Sequence, residues 1–267
     1  MSDELTQSEK KRYERQLILP EVGVEGQRKL KQARVLIVGA GGLGSPAAYY
    51  LAAAGIGTIG IVDADEVSVS NLQRQILHSE KSLGMNKAES AREGLGRLNG
   101  TVDVKTYPYF VTPENIMGLL EDYDFVIDAS DNFETKFLIN DACVLASRPF
   151  CHAGVLQFEG QVMTVVPGAG PCYRCVFEEI PEKKNVREAS ETGVIGAAAG
   201  VIGCVQALEA LKYFLGAGEL LTGKMFVIHG LTMQTRLVPF GKKSEWCRVC
   251  SERADIRDVA KNAAEYR

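Results

Sequence analysis

Three sets of residues in this 267-residue chain have the types and spacing that chemistry needs. The first is Gly39, Gly41 and Gly44, spaced G-x-G-x-x-G with Gly42 between them, after the apolar run 35–38. Glycines there let the backbone approach a phosphate, and the N-terminus of a following helix favours its negative charge. A second apolar run, 59–62, ends at Asp63, where a carboxylate can hold a ribose hydroxyl. Asn71, Gln73, Arg74, Gln75 and Lys87 follow. Two cations beside a nucleotide suggest a triphosphate, because a developing pyrophosphate needs its charge neutralised. On the glycine spacing alone, NAD, ATP and a plain tight turn all stay open. The bland alternative for Arg74 and Lys87 is solvated surface, less so for Arg74, which sits in an uncharged polar run.

The second set is Ser130, Asp131 and Asn132, after the apolar run 125–128. At the carboxyl end of a strand, Asp131 and Asn132 would face the same crevice as the glycine turn, and Asp131 would hold magnesium against phosphate oxygens. The alternative is that one of them only caps the helix that follows; beside a suspected ATP site the metal reading is preferred. The third set is Cys172-x-x-Cys175 with Cys247-x-x-Cys250. Two such pairs fit a tetrahedral zinc site of four thiolates, closed to water and so structural. Reduced thiols or redox pairs are the alternative. Because the pairs lie far apart in the chain, the metal would tie two distant segments together.

These residues need elements to carry them. Strands are expected at 34–38, 58–62, 103–108, 125–128, 150–153, 224–229 and 232–238. Helices are expected at 8–17, 25–32, 42–54, 87–98, 113–120 (capped by Thr112), 133–146 and 193–215. Two alternating runs within 155–166, around Glu159-Gly160, suggest a hairpin. The charged segment 178–192 reads as a mobile loop over the site. The fold class is therefore α/β: a Rossmann-like βαβ half continuing into a more antiparallel C-terminal half with the zinc site. We expect one domain over 1–267, with a helical arm (1–33), a nucleotide-binding half (34–153), a carrier-binding half (154–250) and a charged tail (251–267) that is helical or disordered. The net charge of −4 implies neither a nucleic-acid nor an anionic-membrane surface. The start lacks an apolar leader, and the most apolar stretch, 193–215, carries Gln206, Glu209 and Lys212, which suggests a core helix and a cytoplasmic protein.

Taken together, the chain resembles the MoeB/ThiF/HesA family, bacterial relatives of ubiquitin-activating enzymes. The resemblance covers residues 8–250. It rests on R-Y-x-R-Q (12–16), GAGGLGSP (39–46), V-D-x-D-x-V-x-x-S-N-L-Q-R-Q (62–75), Lys87, S-D-N (130–132), G-P-C-Y-R-C (170–175), Q-A-L-E-A-L-K (206–212) and Cys247-x-x-Cys250. It implies ATP-dependent adenylation of the C-terminal glycine of a small ubiquitin-like sulfur carrier, ThiS- or MoaD-like, with release of pyrophosphate. It implies Asp63 on the ribose and Asn71, Arg74, Gln75 and Lys87 on the phosphates. Asp131 would bind magnesium, and Arg15 would reach the neighbouring subunit's triphosphate in a homodimer. One departure stands out. No cysteine lies between Cys175 and Cys204, and Ala189 occupies the place where relatives commonly carry a crossover-loop cysteine. A thioester from that loop is therefore not expected. Cys151 is a conceivable substitute but reads as buried. An appended sulfurtransferase domain is not expected. Two other readings compete: an NAD-dependent oxidoreductase, and a zinc-stabilised binding module without turnover.

Overall fold

The structure, a computed structural model, describes residues 4–182 and 192–266. Its frame is an eight-stranded sheet: β1 (Arg34–Val38), β2 (Thr58–Val62), β3 (Asp103–Tyr107), β4 (Phe125–Asp128), β5 (Phe150–Leu156), β6 (Glu159–Val165), β7 (Lys224–His229) and β8 (Gln234–Pro239). The spatial order is β3-β2-β1-β4-β5-β6-β7-β8. The first five strands are parallel and the last three are added antiparallel. The strand order reverses between β1 and β4, and at such a point an open α/β sheet leaves a crevice beyond its carboxyl ends.

The helices are α1 (Gln7–Arg12), α2 (Glu14–Leu17), α3 (Gly23–Gln32), α4 (Gly44–Ala54), α5 (Lys87–Leu98), α6 (Ile116–Glu121), α7 (Phe133–Leu145), α8 (Tyr173–Phe177) and α9 (Gly196–Leu215). They bury both faces of the inner parallel strands β1, β2 and β4, which is why those strands read as apolar runs, whereas the edge strand β3 is half-buried and polar. Val35 and Ile37 of β1 join a core with Leu51, Leu95 and Ile202, from α4, α5 and α9. Their neighbours Leu36 and Val38 join the opposite core, with Leu120, Phe137 and Tyr173, from α6, α7 and α8.

Four expectations shift. The helix expected over 8–17 breaks at Tyr13, whose buried hydroxyl accepts a hydrogen bond from Asn99 Nδ2 (2.9 Å). Thr112 does not cap the next helix; Asn115 Oδ1 accepts the Thr112 N–H, and α6 begins only at Ile116. The hairpin turns at Gln157, with φ +52°, and not at Glu159-Gly160. Gly160 lies within β6 opposite Val155, where a Cβ would stand 2.2 Å from Ile202 Cγ1, so glycine is required there for packing and not for a turn. The C-terminal tail docks: Tyr266 donates to Asp141 (2.8 Å), and Arg248 pairs with Asp255 and Glu265.

Among the described residues α9 is the one helix long and apolar enough to cross a membrane by length and composition. It packs on α4, β5 and β6. Its polar residues reach partners inside the protein: Gln206 Nε2 donates to the Asp128 and Cys151 carbonyls, and Glu209 accepts from Thr164 and the Leu221 N–H. That is the pattern of a core helix.

Candidate functional site

The glycine turn joins β1 to α4. Gly39 has φ +99°, and a Cβ on it would meet the Ala129 carbonyl oxygen at 2.6 Å, so the turns after β1 and β4 touch backbone to backbone. A Cβ on Gly44 would stand 1.9 Å from the Gly39 oxygen; only glycine lets the helix start this close. Gly41 faces more open space, its nearest neighbour being Gln75 Nε2 at 3.6 Å. Gly42 lies under Arg74 and Ala199. The turn thus leaves its outer backbone free to meet a phosphate.

Asp63 ends β2 and braces this turn. Its carboxylate accepts from the Ala40 N–H (2.8 Å) and the Asp65 N–H (2.9 Å), and burial pushes its carboxyl above the usual range. The remaining lone pairs are what a ribose would use. His78, which sequence reading missed, holds the Ala40 carbonyl with Nε2 (2.9 Å) and meets Ser90 with Nδ1 (2.9 Å). Burial keeps this imidazole below its usual pKa.

The expected phosphate residues fall on the loop after β2 and the start of α5. Lys87 is no surface lysine: it is 6% exposed and reaches Asp65 at 2.8 Å. Arg74 is half-buried and donates to the Ser70 carbonyl (3.1 Å). Gln75 is buried, with Oε1 making no hydrogen bond within the protein. Asn71 Oδ1 accepts from the Ser68 N–H (3.1 Å). The N-terminus of α9 presses on this loop, since a Cβ on Gly196 would stand 2.4 Å from the Gln73 oxygen.

Beyond β4, Asp131 and Asn132 are both exposed. Asn132 Oδ1 caps α7 through the Thr135 N–H (2.8 Å), so the capping alternative is realised for this residue. The exposed side chain of Asp131 makes no hydrogen bond or ion pair among the described residues. Beneath this turn lies a buried polar network. Asp128 accepts from Ser130 N–H (3.1 Å), Ser130 Oγ (2.5 Å) and His152 Nδ1 (2.7 Å), with Lys136 Nζ at 3.6 Å. Burial works to raise the Asp128 carboxyl, but Lys136, His152 and Ser130 outweigh it and bring it down to about 2. His152 is pushed down by burial and by Lys136, so it is neutral at pH 7.

Arg15 is exposed on α2, outside these contacts. Cys151 is fully buried and burial pushes its thiol well up, which removes it as a substitute nucleophile. Ala189 and most of the charged segment 178–192 lie outside the described residues.

The four cysteines do converge. Cys172 lies 3.5 Å from Cys247 and 3.8 Å from Cys175, and Cys175 lies 3.4 Å from Cys250. All four sulfurs lie within 4.8 Å of one another, and none is in a disulfide. With Zn–S near 2.3 Å, sulfurs at tetrahedral corners would be about 3.8 Å apart. The cluster has the geometry and donor set of a closed metal centre.

A doubly wound α/β fold with a glycine turn and an acidic turn at its switch point, and a four-thiol cluster behind, defines the class of fold that handles nucleotides. Residues 13–249 match the ThiF family. The adenylyltransferase and sulfurtransferase MOCS3 of Sus scrofa is 47% identical over 96% of this chain and 56% of its own length; that of Aedes aegypti is 46% identical over 95% and 58%. Among solved structures, E. coli MccB with ATP is 26% identical with a TM-score of 0.78, covering 90% of this chain and 74% of that one. PaaA is 25% identical with a TM-score of 0.76, covering 90% and 76%. The chain belongs to the ThiF family. It spans somewhat more than half the length of these curated relatives.

Proposed function

We propose that this protein activates the C-terminal carboxylate of a small ubiquitin-like sulfur carrier, ThiS- or MoaD-like, by adenylation. A carboxylate oxygen of the carrier attacks the α-phosphorus of ATP. The bond to the bridging oxygen breaks, pyrophosphate leaves, and an acyl-adenylate remains for sulfur transfer. The chain supplies no nucleophile; it binds, aligns and neutralises. Asp63 takes the ribose, and Gly39, Gly41, Gly42 and Gly44 admit the phosphates. Asn71, Arg74, Gln75 and Lys87 draw charge off the leaving pyrophosphate. Asp131 would hold magnesium, which neutralises phosphate oxygens. Arg15 would act in trans in a homodimer, and Cys172, Cys175, Cys247 and Cys250 would hold one structural zinc. Free thiols fit a cytoplasmic setting.

The observation that carries this reading is the backbone contact of the glycine turn with the turn before Asp131, in a chain 47% identical to an adenylyltransferase. Intact-mass analysis of ThiS-like and MoaD-like carriers after incubation with this protein and ATP tests it. One carrier should gain the mass of AMP less one water. Neither gaining it, with intact glycine tails, would contradict the reading.

A further inference from the structure

We propose that His152, Asp128 and Lys136 form a buried clamp on Ser130 that sets the position of Asp131 at the crevice. They are positioning residues, and the inference rests on the magnesium role of Asp131 given above. Every polar group of Ser130 is committed. Its N–H and hydroxyl both donate to Asp128 Oδ1, and its carbonyl accepts from Lys136 Nζ (2.7 Å). Lys136 also donates to the Ala153 carbonyl (2.8 Å), tying the turn after β4 to β5. The other Asp128 oxygen takes the His152 Nδ1–H at 2.7 Å. The backbone carbonyl of Asp128 is held in turn by Gln206 from α9 (2.8 Å).

These groups are out of water: Asp128 is 0%, His152 1% and Lys136 8% exposed. An apolar set of similar volume would often serve stability as well as a buried ion pair does. What a fully satisfied network adds is a single geometry. The residue that inherits it is Asp131, fixed behind by the Ser130 clamp and ahead by the Asn132 cap on α7, with only its side chain left free. The ring of Tyr173 covers His152, centroid to centroid at 4.4 Å. Tyr173 stands between Cys172 and Cys175, so the cover over the clamp is anchored in the four-cysteine cluster. The clamp therefore links that cluster to the acidic turn through contacts that sequence spacing does not reveal.

The test is magnesium-dependent ATP binding by calorimetry on the full chain. His152→Leu removes the N–H donor, whereas His152→Asn keeps a donor near the place of Nδ1; both lose the ring over Tyr173. A hydrogen bond to a buried carboxylate predicts that His152→Leu raises the magnesium concentration for half-maximal ATP binding about tenfold, with His152→Asn within about twofold of the unaltered chain. Both should lower Tm through the lost ring, His152→Leu further because it also leaves Asp128 short of a donor. Ser130→Ala removes one hydroxyl and no bulk, and should raise the magnesium requirement about threefold. A magnesium requirement that is the same in His152→Leu and His152→Asn, or unmoved in Ser130→Ala, overturns the clamp alone. No magnesium-dependent ATP binding by the unaltered chain overturns both the clamp and the reading it rests on.

Discussion

Lys87 and His78 mark the two ways a residue can matter here. Lys87 stood out in the sequence as a phosphate candidate because a cation near a suspected nucleotide site suggests one; the structure adds that it is buried against Asp65. His78, Asp128, Lys136 and His152 were not legible in their roles. Their partners lie on other elements, and no spacing marks a side chain that serves a backbone carbonyl such as that of Ala40 or Ser130. The available signal was scarcity: the chain has three histidines, and two lie beside the crevice turns. Burial holds both His78 and His152 below the usual imidazole value of 6.5. The folded state therefore refuses protons that the unfolded state accepts. Stability is full above pH 6.5 and is lost as pH falls through 6.5 toward the folded-state values. We predict that Tm falls between pH 7 and 5.5, and falls less steeply in His78→Asn. Equal slopes in differential scanning calorimetry would contradict this.

At the scale of elements, parallel strands were the most legible feature. The parallel β1, β2 and β4 begin and end where expected, since burial on both faces gives each a run of apolar residues; the antiparallel β7 also keeps its expected bounds. Turns were less legible, because tertiary packing decides them. Gly160 signals a turn by composition, yet it serves as the space that Ile202 of α9 fills. The same logic makes Gly203 a sensitive position. A Cβ there would stand 2.3 Å from the Leu43 oxygen and 2.5 Å from Pro46 Cγ, on the glycine turn itself. Backbone cannot yield that much, so α9 must move. We predict that Gly203→Ala costs about 1–3 kcal/mol in urea denaturation and weakens ATP binding with it. An unchanged urea midpoint would show that α9 does not brace the turn.

At the scale of the whole molecule, one sheet carries both halves. The parallel half bears the crevice, and the four cysteines draw the segment after β6 to the segment after β8. That convergence was legible as two C-x-x-C pairs, while the docking of the tail through Tyr266 and Arg248 was not, because charged segments carry little pattern. A closed thiolate site predicts about one zinc per chain by elemental analysis, and a drop in Tm when a strong chelator removes it. A folded, metal-free preparation of unchanged Tm would contradict the structural role. The central claim, that the two turns form one adenylating site for a carrier's carboxylate, meets its most direct test in ATP–pyrophosphate exchange. Exchange should require a ThiS- or MoaD-like carrier with its terminal glycines, and Asp131→Ala should abolish it while the protein stays folded. Exchange that persists in Asp131→Ala, or that needs no carrier tail, would contradict the account.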